Sequence, residues 1–384
     1  MKLEPVVGDD PREILRALRG ALHGAGPALG LGMVDRLPSE VRAGTAVVVT
    51  TSGSTGVPKS VVLTRDCLTA SALATADRIG DGAWLLALPA SYVAGLQVLV
   101  RSLVADREPA ILSGAFTPQA FAAAALTMTS SVGGERVPTY TSLVPAQLSK
   151  LLDAADHDPH ILAALRSFER ILIGGQALPA ATLERAEAAG ARIARTYGST
   201  ETSGGCVYDG VPLRGVQVRI QRGEVQVAGP TLAEGYLGDP QLTDAVFVRE
   251  PDGTRWYRTG DAGLFEDGVL RIRGRIDNVI VSGGINVSLD RVERIVRSVP
   301  GLDGAVVVGV ADERWGEASV IVASRGEALR RSEAVQLDEA RAAVQAEIGP
   351  HARPTRLVLV DELVTLPSGK PDREAIRRAV AALP

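Results

Sequence analysis

The chain has 384 residues, 46% of them hydrophobic and 22% charged, with a formal net charge of −4. That length favours two globular domains over one core, and that charge gives no electrostatic basis for nucleic-acid binding. Two cysteines, Cys67 and Cys206, and four histidines exclude a disulfide framework, a zinc centre of the cysteine type and a His-rich metal site.

Met1-Lys2-Leu3-Glu4-Pro5 runs into acids and proline, so no signal peptide is read there. Residues 1–45 read as a leader with one amphipathic helix, Pro11 to His23, carrying Ile14, Leu15, Leu18 and Leu22 on one side. A β-type run, Ala46 to Val49, leads into Thr50-Thr51-Ser52-Gly53-Ser54-Thr55-Gly56-Val57-Pro58-Lys59, and a second run, Val61 to Leu63, follows. Thr64 suits an N-cap and Asp66 the first turn of a helix to about Ile79. The apolar stretch 83–100 is interrupted by Pro89, Ser91, Gly95 and Gln97. It reads as a buried strand, a loop and a helix from Leu96 to Val104, not as a membrane span. Cytoplasmic location without stable membrane insertion is therefore expected.

From 107 to 173 strands and helices alternate: strands at 109–112, 140–145 and 170–173, helices at 118–128 and 147–155. Alternation implies a largely parallel sheet flanked by helices, with ligands at the loops after strand C-termini. His157 and His160 read as solvent-facing residues of an Asp/Pro-rich turn. Residues 207–273 show short alternating strands between Gly turns, an antiparallel β-region. Beyond Asp277 a compact strand-and-helix pattern, with helices near 290–298 and 337–348 and a mobile charged loop at 324–335, reads as a second domain. The fold class expected is α/β: a large domain, 1–276, with an added antiparallel region, and a small α+β domain, 277–384.

Five short motifs carry chemistry. The Ser/Thr/Gly loop at 50–59 offers backbone N–H groups, hydroxyls and the cation of Lys59, which is the chemistry of a phosphate cradle. It is not the triphosphatase P-loop, because Pro58 separates Gly56 from Lys59 and a strand follows instead of a helix. Tyr197-Gly198-Ser199-Thr200-Glu201-Thr202 supplies an aromatic face, hydroxyls and a carboxylate suited to Mg²⁺ beside phosphates. Asp261 in Tyr257-Arg258-Thr259-Gly260-Asp261 suits ribose hydroxyls, and Gly274-Arg275 offers a cation near the same sugar. Leu366-Pro367-Ser368-Gly369-Lys370 presents a Gly-flanked lysine. Lysine occurs only four times in a chain that otherwise uses arginine for positive charge, and two of the four, Lys59 and Lys370, sit in these motifs. Each motif alone has a plain structural reading as a turn or a helix start; their joint order does not.

Together they resemble the adenylate-forming superfamily of acyl-CoA ligases, luciferases and peptide-synthetase adenylation domains, over about residues 46–378. That resemblance implies an enzyme that joins a carboxylic acid to ATP as acyl-AMP, releases pyrophosphate, and transfers the acyl group to CoA. It implies that Thr51, Ser52, Gly53, Ser54, Thr55, Gly56 and Lys59 embrace the ATP phosphates. It places Gly174, Gly175, Gln176, Tyr197, Gly198 and Ser199 in the ATP site, Thr200 at the α-phosphate, Glu201 at Mg²⁺, and Asp261 with Arg275 at the ribose. Asp277 is implied as a hinge, Gly283 and Gly284 as lining for the CoA thiol channel, and Lys370 as the adenylation lysine.

Only 49 residues precede Thr50, where the superfamily usually has well over a hundred. In this the chain resembles the short o-succinylbenzoate–CoA ligases of menaquinone biosynthesis, especially actinobacterial ones, as do the segments 141–148 and 203–210. The resemblance implies a hydroxyl- or Arg-lined pocket for an aromatic dicarboxylate, with Ser91, Tyr92, Gly95, Ser142 and Gly204 as lining and Arg101 as a weaker candidate. The chain departs from that pattern at Ser91-Tyr92, Ile285 and Leu289. Alternatives left open are a CoA ligase for another aryl or short acyl acid, a stand-alone adenylation enzyme charging a carrier protein, and a non-catalytic nucleotide binder. Small-molecule partners are expected, and a homodimer is compatible with the sequence.

Overall fold

The computed structural model describes residues 1–32, 37–51, 58–128, 131–325, 332–366 and 369–383. Its core falls into clusters that do not cross residues 273–279: three lie before them and two after. We call the two parts the larger and smaller lobes.

The larger lobe holds three main sheets. The first is ordered Leu3–Pro5, Ala28–Leu31, Thr45–Thr51, Lys59–Thr64, Gly235–Tyr236. Two of these strands come from the segment read from sequence as a leader. They are short, and Ala28–Leu31 is buried throughout, so it shows no alternation to read. The expected helix is present as Pro11–His23, capped by Asp10 and closed by Gly24 in the left-handed region. Thr45–Thr51 and Lys59–Thr64 pair antiparallel with Thr51 opposite Lys59. The ends of the phosphate-loop motif, Thr50, Thr51 and Lys59, thus lie on two paired strands; Ser52, Gly53, Ser54, Thr55, Gly56 and Val57 lie outside the described residues.

The second sheet has seven strands, ordered Val211–Pro212, Gly204–Tyr208, Ile193–Ser199, Arg170–Ile173, Thr139–Leu143, Ala83–Leu86, Ala110–Ile111. The last five run parallel, as alternation with helices requires. Its side chains alternate between two cores. Trp84, Leu86 and Leu172 join the helices Arg65–Ile79 and Val93–Val104, while Leu85, Ile171 and Ile173 pack with the helices at 118–126, 145–155 and 159–167. Gly95 is fixed by packing: a Cβ there would sit 2.1 Å from the Pro89 carbonyl oxygen. His157 and His160 are exposed as expected, but His160 opens the helix Pro159–Ser167 instead of sitting in a turn.

The third sheet is the expected antiparallel region, Gln217–Gln221, Glu224–Ala228, Arg255–Glu266 and Phe247–Arg249, with Val269–Arg275 paired on Arg255–Glu266. The smaller lobe is built on Ile285–Ser288, Val279–Ser282, Gly316–Ser324 and Val306–Asp312, with Arg356–Val360 parallel to Gly316–Ser324. Among the described residues the helices Leu289–Val296, Glu333–Glu347 and Arg373–Ala381 cover it. The second starts four residues before the expected position, so the part of the presumed mobile loop from 333 to 335 is helical; residues 326–331 lie outside the described residues. Among the described residues no helix is long and apolar enough to cross a membrane.

Candidate active site

Three neighbouring parallel strands end together, and the site grows from those ends. Leu143, Ile173 and Arg195 share a register row. Beyond it lie Val144, then Gly174, Gly175 and Gln176, and then Tyr197 to Glu201. This is the C-terminal edge at which open α/β sheets bind ligands. Gly174 has no room for a side chain, because a Cβ would lie 2.3 Å from the Thr196 hydroxyl oxygen. Gly175 is left-handed, and the nearest atoms to a Cβ built on it are Lys370 Cε at 3.2 Å and Val144 Cγ1 at 3.7 Å. Lysine 370 therefore reaches across from the smaller lobe and lies against this edge. Gly369 packs likewise, 3.5 Å from Val144 Cγ2. Residues 367 and 368 lie outside the described residues.

Two hydrogen-bonded pairs tie this edge to neighbouring segments. The Tyr197 hydroxyl donates to Asp261 Oδ2 at 2.6 Å. The Tyr236 hydroxyl donates to Glu201 Oε1 at 2.9 Å, and Lys59 Nζ lies 5.9 Å from the Tyr236 ring centre. Tyr236 was missed in the sequence; its signal, an aromatic after Gly235, is no different from that of a core tyrosine. Thr200 is buried at the start of a single 3-10 turn, Thr200–Thr202, and the Ser199 N–H donates to the Thr202 hydroxyl at 2.8 Å. Gly198 must be glycine, since a Cβ would sit 2.0 Å from the Gly204 carbonyl oxygen.

Burial and charge set the protonation states. Burial raises the Tyr197 and Tyr236 hydroxyls, with Asp261 and Glu201 respectively adding to the effect, so both stay neutral donors. Asp261 is raised by burial, against which the Tyr197 bond and Arg275 act. Lys370 is lowered by the protein crowded around it, and the carboxylates of Glu201 and Asp261 oppose that. Its surface nevertheless remains exposed to solvent, so it stands in an open cleft, not in a core. Among the described residues its ammonium has no hydrogen bond or ion pair.

Arg275 faces the same cleft edge. Its Nε and Nη2 each lie 2.9 Å from an oxygen of Asp277, its Nη1 donates to Thr259 O at 2.7 Å, and Asp261 Oδ1 is 3.4 Å away. The two hydrogen bonds it donates to Asp277 are the main cause that raises it. Gly283 and Gly284 form the turn between Val279–Ser282 and Ile285–Ser288. Gly283 packs on Trp315 of its own lobe.

The helix Val93–Val104 packs against the sheet beside the site. Gln97 touches Gly204, where a Cβ would lie 3.2 Å from Gln97 Cγ, and Arg101 is one turn further on the same face. Arg101 is 6% exposed. Its guanidinium lies 4.8 Å from the Trp84 ring centre, and Nη2 donates to the Tyr208 hydroxyl at 3.3 Å. Its Nε and the neighbouring Gln97 Oε1 are buried without partners, and no carboxylate pairs with it among the described residues. Ser142 is buried on Thr139–Leu143, while the Ser91 N–H is held by Asp9 Oδ1 at 2.9 Å and Tyr92 is partly buried.

Open parallel sheet ends, a phosphate-type hairpin and a lysine presented by a second lobe define an adenylate-forming architecture, and the chain belongs to the AMP-binding enzyme family. The family model for the AMP-binding enzyme matches residues 26–237, and that for its C-terminal domain matches 291–370. A protein of Mycobacterium tuberculosis named probable 2-succinylbenzoate–CoA ligase is 40% identical over 96% of this chain and 95% of its own length. A 2-succinylbenzoate–CoA ligase of Geobacillus is 30% identical over 87% of this chain and 69% of its own. Among solved structures, the o-succinylbenzoate CoA synthetase of Bacillus subtilis, in complex with the acyl-adenylate OSB-AMP, shares the fold with a TM-score of 0.73 at 23% identity, over 98% of this chain and 83% of that one.

Proposed function

We propose that the protein is an ATP-dependent, AMP-forming o-succinylbenzoate–CoA ligase of menaquinone biosynthesis. The observation that carries the identity of the acid is Arg101. A buried guanidinium with an orphaned donor and no carboxylate partner is costly unless a ligand supplies the anion. An aromatic acid with a second carboxylate does so, and Trp84 beside it keeps the guanidinium stacked and oriented.

At the other end of the pocket the reacting carboxylate attacks the α-phosphorus, forming the acyl-adenylate as the bond to pyrophosphate breaks. Two anions must approach there. Lys370 offers an ammonium that no carboxylate among the described residues neutralises by direct contact, so its charge is available where charge develops. Thr200 stands ready for the α-phosphate oxygens, and Lys59 with the 50–59 hairpin for the departing pyrophosphate. Tyr197 and Asp261, with Arg275, suit the nucleoside. Glu201, oriented by Tyr236, is the residue that would hold Mg²⁺; one carboxylate plus phosphate oxygens is the usual environment of that ion, and it supplies charge neutralisation. Among the described residues no cluster of three metal-type side chains exists that would demand a different ion.

For the second step, CoA thiol must reach the acyl group on the face that Lys370 occupies. We read 1–276 and 277–384 as two domains and Asp277 as the hinge that withdraws Lys370 and brings Gly283 and Gly284 to the site. Supporting this, the Ile276 N–H is bonded to Gly260 O in the larger lobe, whereas Asn278 O accepts from Leu289 N in the smaller. One residue separates the two anchored segments. ATP and CoA as co-substrates fit a cytoplasmic enzyme.

Incubation with ATP, Mg²⁺, CoA and o-succinylbenzoate tests the reading. Pyrophosphate release followed by thioester formation supports it. Pyrophosphate without thioester would point to a carrier protein as acceptor, and no pyrophosphate would overturn the assignment of this acid.

A further inference from the structure

The hinge is bridged by a side chain that the ligase reaction itself does not call for. Asp290 lies in the first turn of Leu289–Val296, in the smaller lobe. Its Oδ2 accepts the backbone N–H of Arg275, on the larger-lobe side of Asp277, at 2.7 Å. Its Oδ1 accepts from Asn278 Nδ2, on the other side, at 2.8 Å. The carboxylate thus clasps both flanks of a one-residue pivot. Gly274 makes the approach possible: it has φ +139°, and a Cβ there would lie 2.6 Å from Asp290 Cβ. The strand Val269–Arg275 therefore gives up a side chain at the point where the helix of the other lobe comes closest.

We propose that Asp290 is a positioning residue for adenylation, the latch that holds Lys370 in the cleft. The inference rests on reading Asp277 as the pivot. Rotation there carries Asp290 with the smaller lobe and leaves Arg275 N–H behind, so the bond between them must break. The bond to Asn278 lies wholly on the moving side and survives. Arg373, whose Nη2 is 4.0 Å from Asp290 Oδ1 and which is anchored on Glu293 at 2.8 Å, also moves with it. The released carboxylate keeps two partners and its charge, so opening costs one charge-assisted hydrogen bond and no stranded anion. Such a latch holds one pose without locking it.

The test compares wild type with Asp290→Ala and Asp290→Asn. Spin labels at Leu73→Cys and Val335→Cys, both exposed and on opposite lobes, report the interlobe distance without any substrate; the native Cys67 and Cys206 are buried. Asp290→Ala is expected to raise the minor distance population severalfold and to slow pyrophosphate release about tenfold, the scale of one hydrogen bond to a charged group. Thioester formation from supplied acyl-adenylate should stay within about threefold of wild type. Asp290→Asn, which keeps one accepting oxygen, should fall between, and it carries the test should the alanine variant not fold. Identical distance distributions in wild type and variants would overturn the latch, as would equal losses in both half-reactions. Absence of pyrophosphate from wild type would instead overturn the choice of acid, and the distances would still decide the latch.

Discussion

The two lobes contribute to the cleft in opposite ways. In the larger lobe three polar groups at the nucleotide end of the site are already engaged: Tyr197 with Asp261, Tyr236 with Glu201, Ser199 N–H with Thr202. The smaller lobe sends in Lys370, whose ammonium has no bonded partner among the described residues. A wall of satisfied groups is rigid and suited to binding, since little must reorganise when a nucleotide arrives. An unpaired ammonium is suited to the moment when negative charge accumulates, and a residue that arrives on a separate body is also able to leave. Under the proposed function, the contrast suits a division of labour in which the larger lobe binds and the smaller lobe times the chemistry.

Removal of the mobile charge is the most severe way to break that contrast. Lys370→Ala is expected to slow pyrophosphate release about a thousandfold, the scale seen when a group that stabilises developing charge is lost, with thioester formation from acyl-adenylate nearly intact. Asp277→Pro should do the reverse, slowing the thioester step roughly a hundredfold by misplacing the second pose while adenylation continues. Arg101→Gln tests the fixed wall: KM for o-succinylbenzoate should rise roughly thirtyfold, the effect of losing about 2 kcal/mol from a buried charge pair, with KM for ATP unchanged. A pH profile sharpens the role of Lys370. Its active form is the ammonium and burial lowers its pKa, so the proton is lost sooner as pH rises than from a free lysine. Adenylation should therefore show an alkaline decline with a midpoint below the ordinary lysine value, falling about tenfold per pH unit beyond it, and the decline should be absent from the thioester step. The smallest effect is expected at Cys206, whose thiol burial pushes up to about 12. It should resist alkylation at about pH 8 until the protein is denatured, as measured by mass spectrometry.

The motifs were legible because each needs an unusual residue at a fixed spacing. A glycine-rich turn between two valine strands, a lysine in a chain that favours arginine, and an acid after Tyr-Gly-Ser-Thr are all visible without coordinates. The helix 11–23 and the strand Arg170–Ile173 were legible for the same reason, being bounded by clear caps or glycines. What stayed hidden depends on contacts between distant segments. Tyr236 reads as core until Glu201, 35 positions away, is placed beside it. Asp290 reads as an ordinary first-turn acid until the strand bearing Arg275 is laid against it. Arg101 stands out only when its burial and the lack of a carboxylate partner among the described residues are known, and the close approach of the Pro89 carbonyl to Gly95 is likewise invisible in the sequence. The separation of Thr45–Thr51 and Arg170–Ile173 into different sheets was also beyond local pattern, since both are short β-type runs with the same apolar texture.

The division of labour is tested most directly by single-turnover rates of both half-reactions in Lys370→Ala and Asp277→Pro, measured side by side with o-succinylbenzoate. Opposite dissociations are expected: adenylation lost and thioester formation kept in the first variant, adenylation kept and thioester formation lost in the second. Parallel losses of both steps in both variants would contradict it, and would mean that the two lobes act as one fixed site.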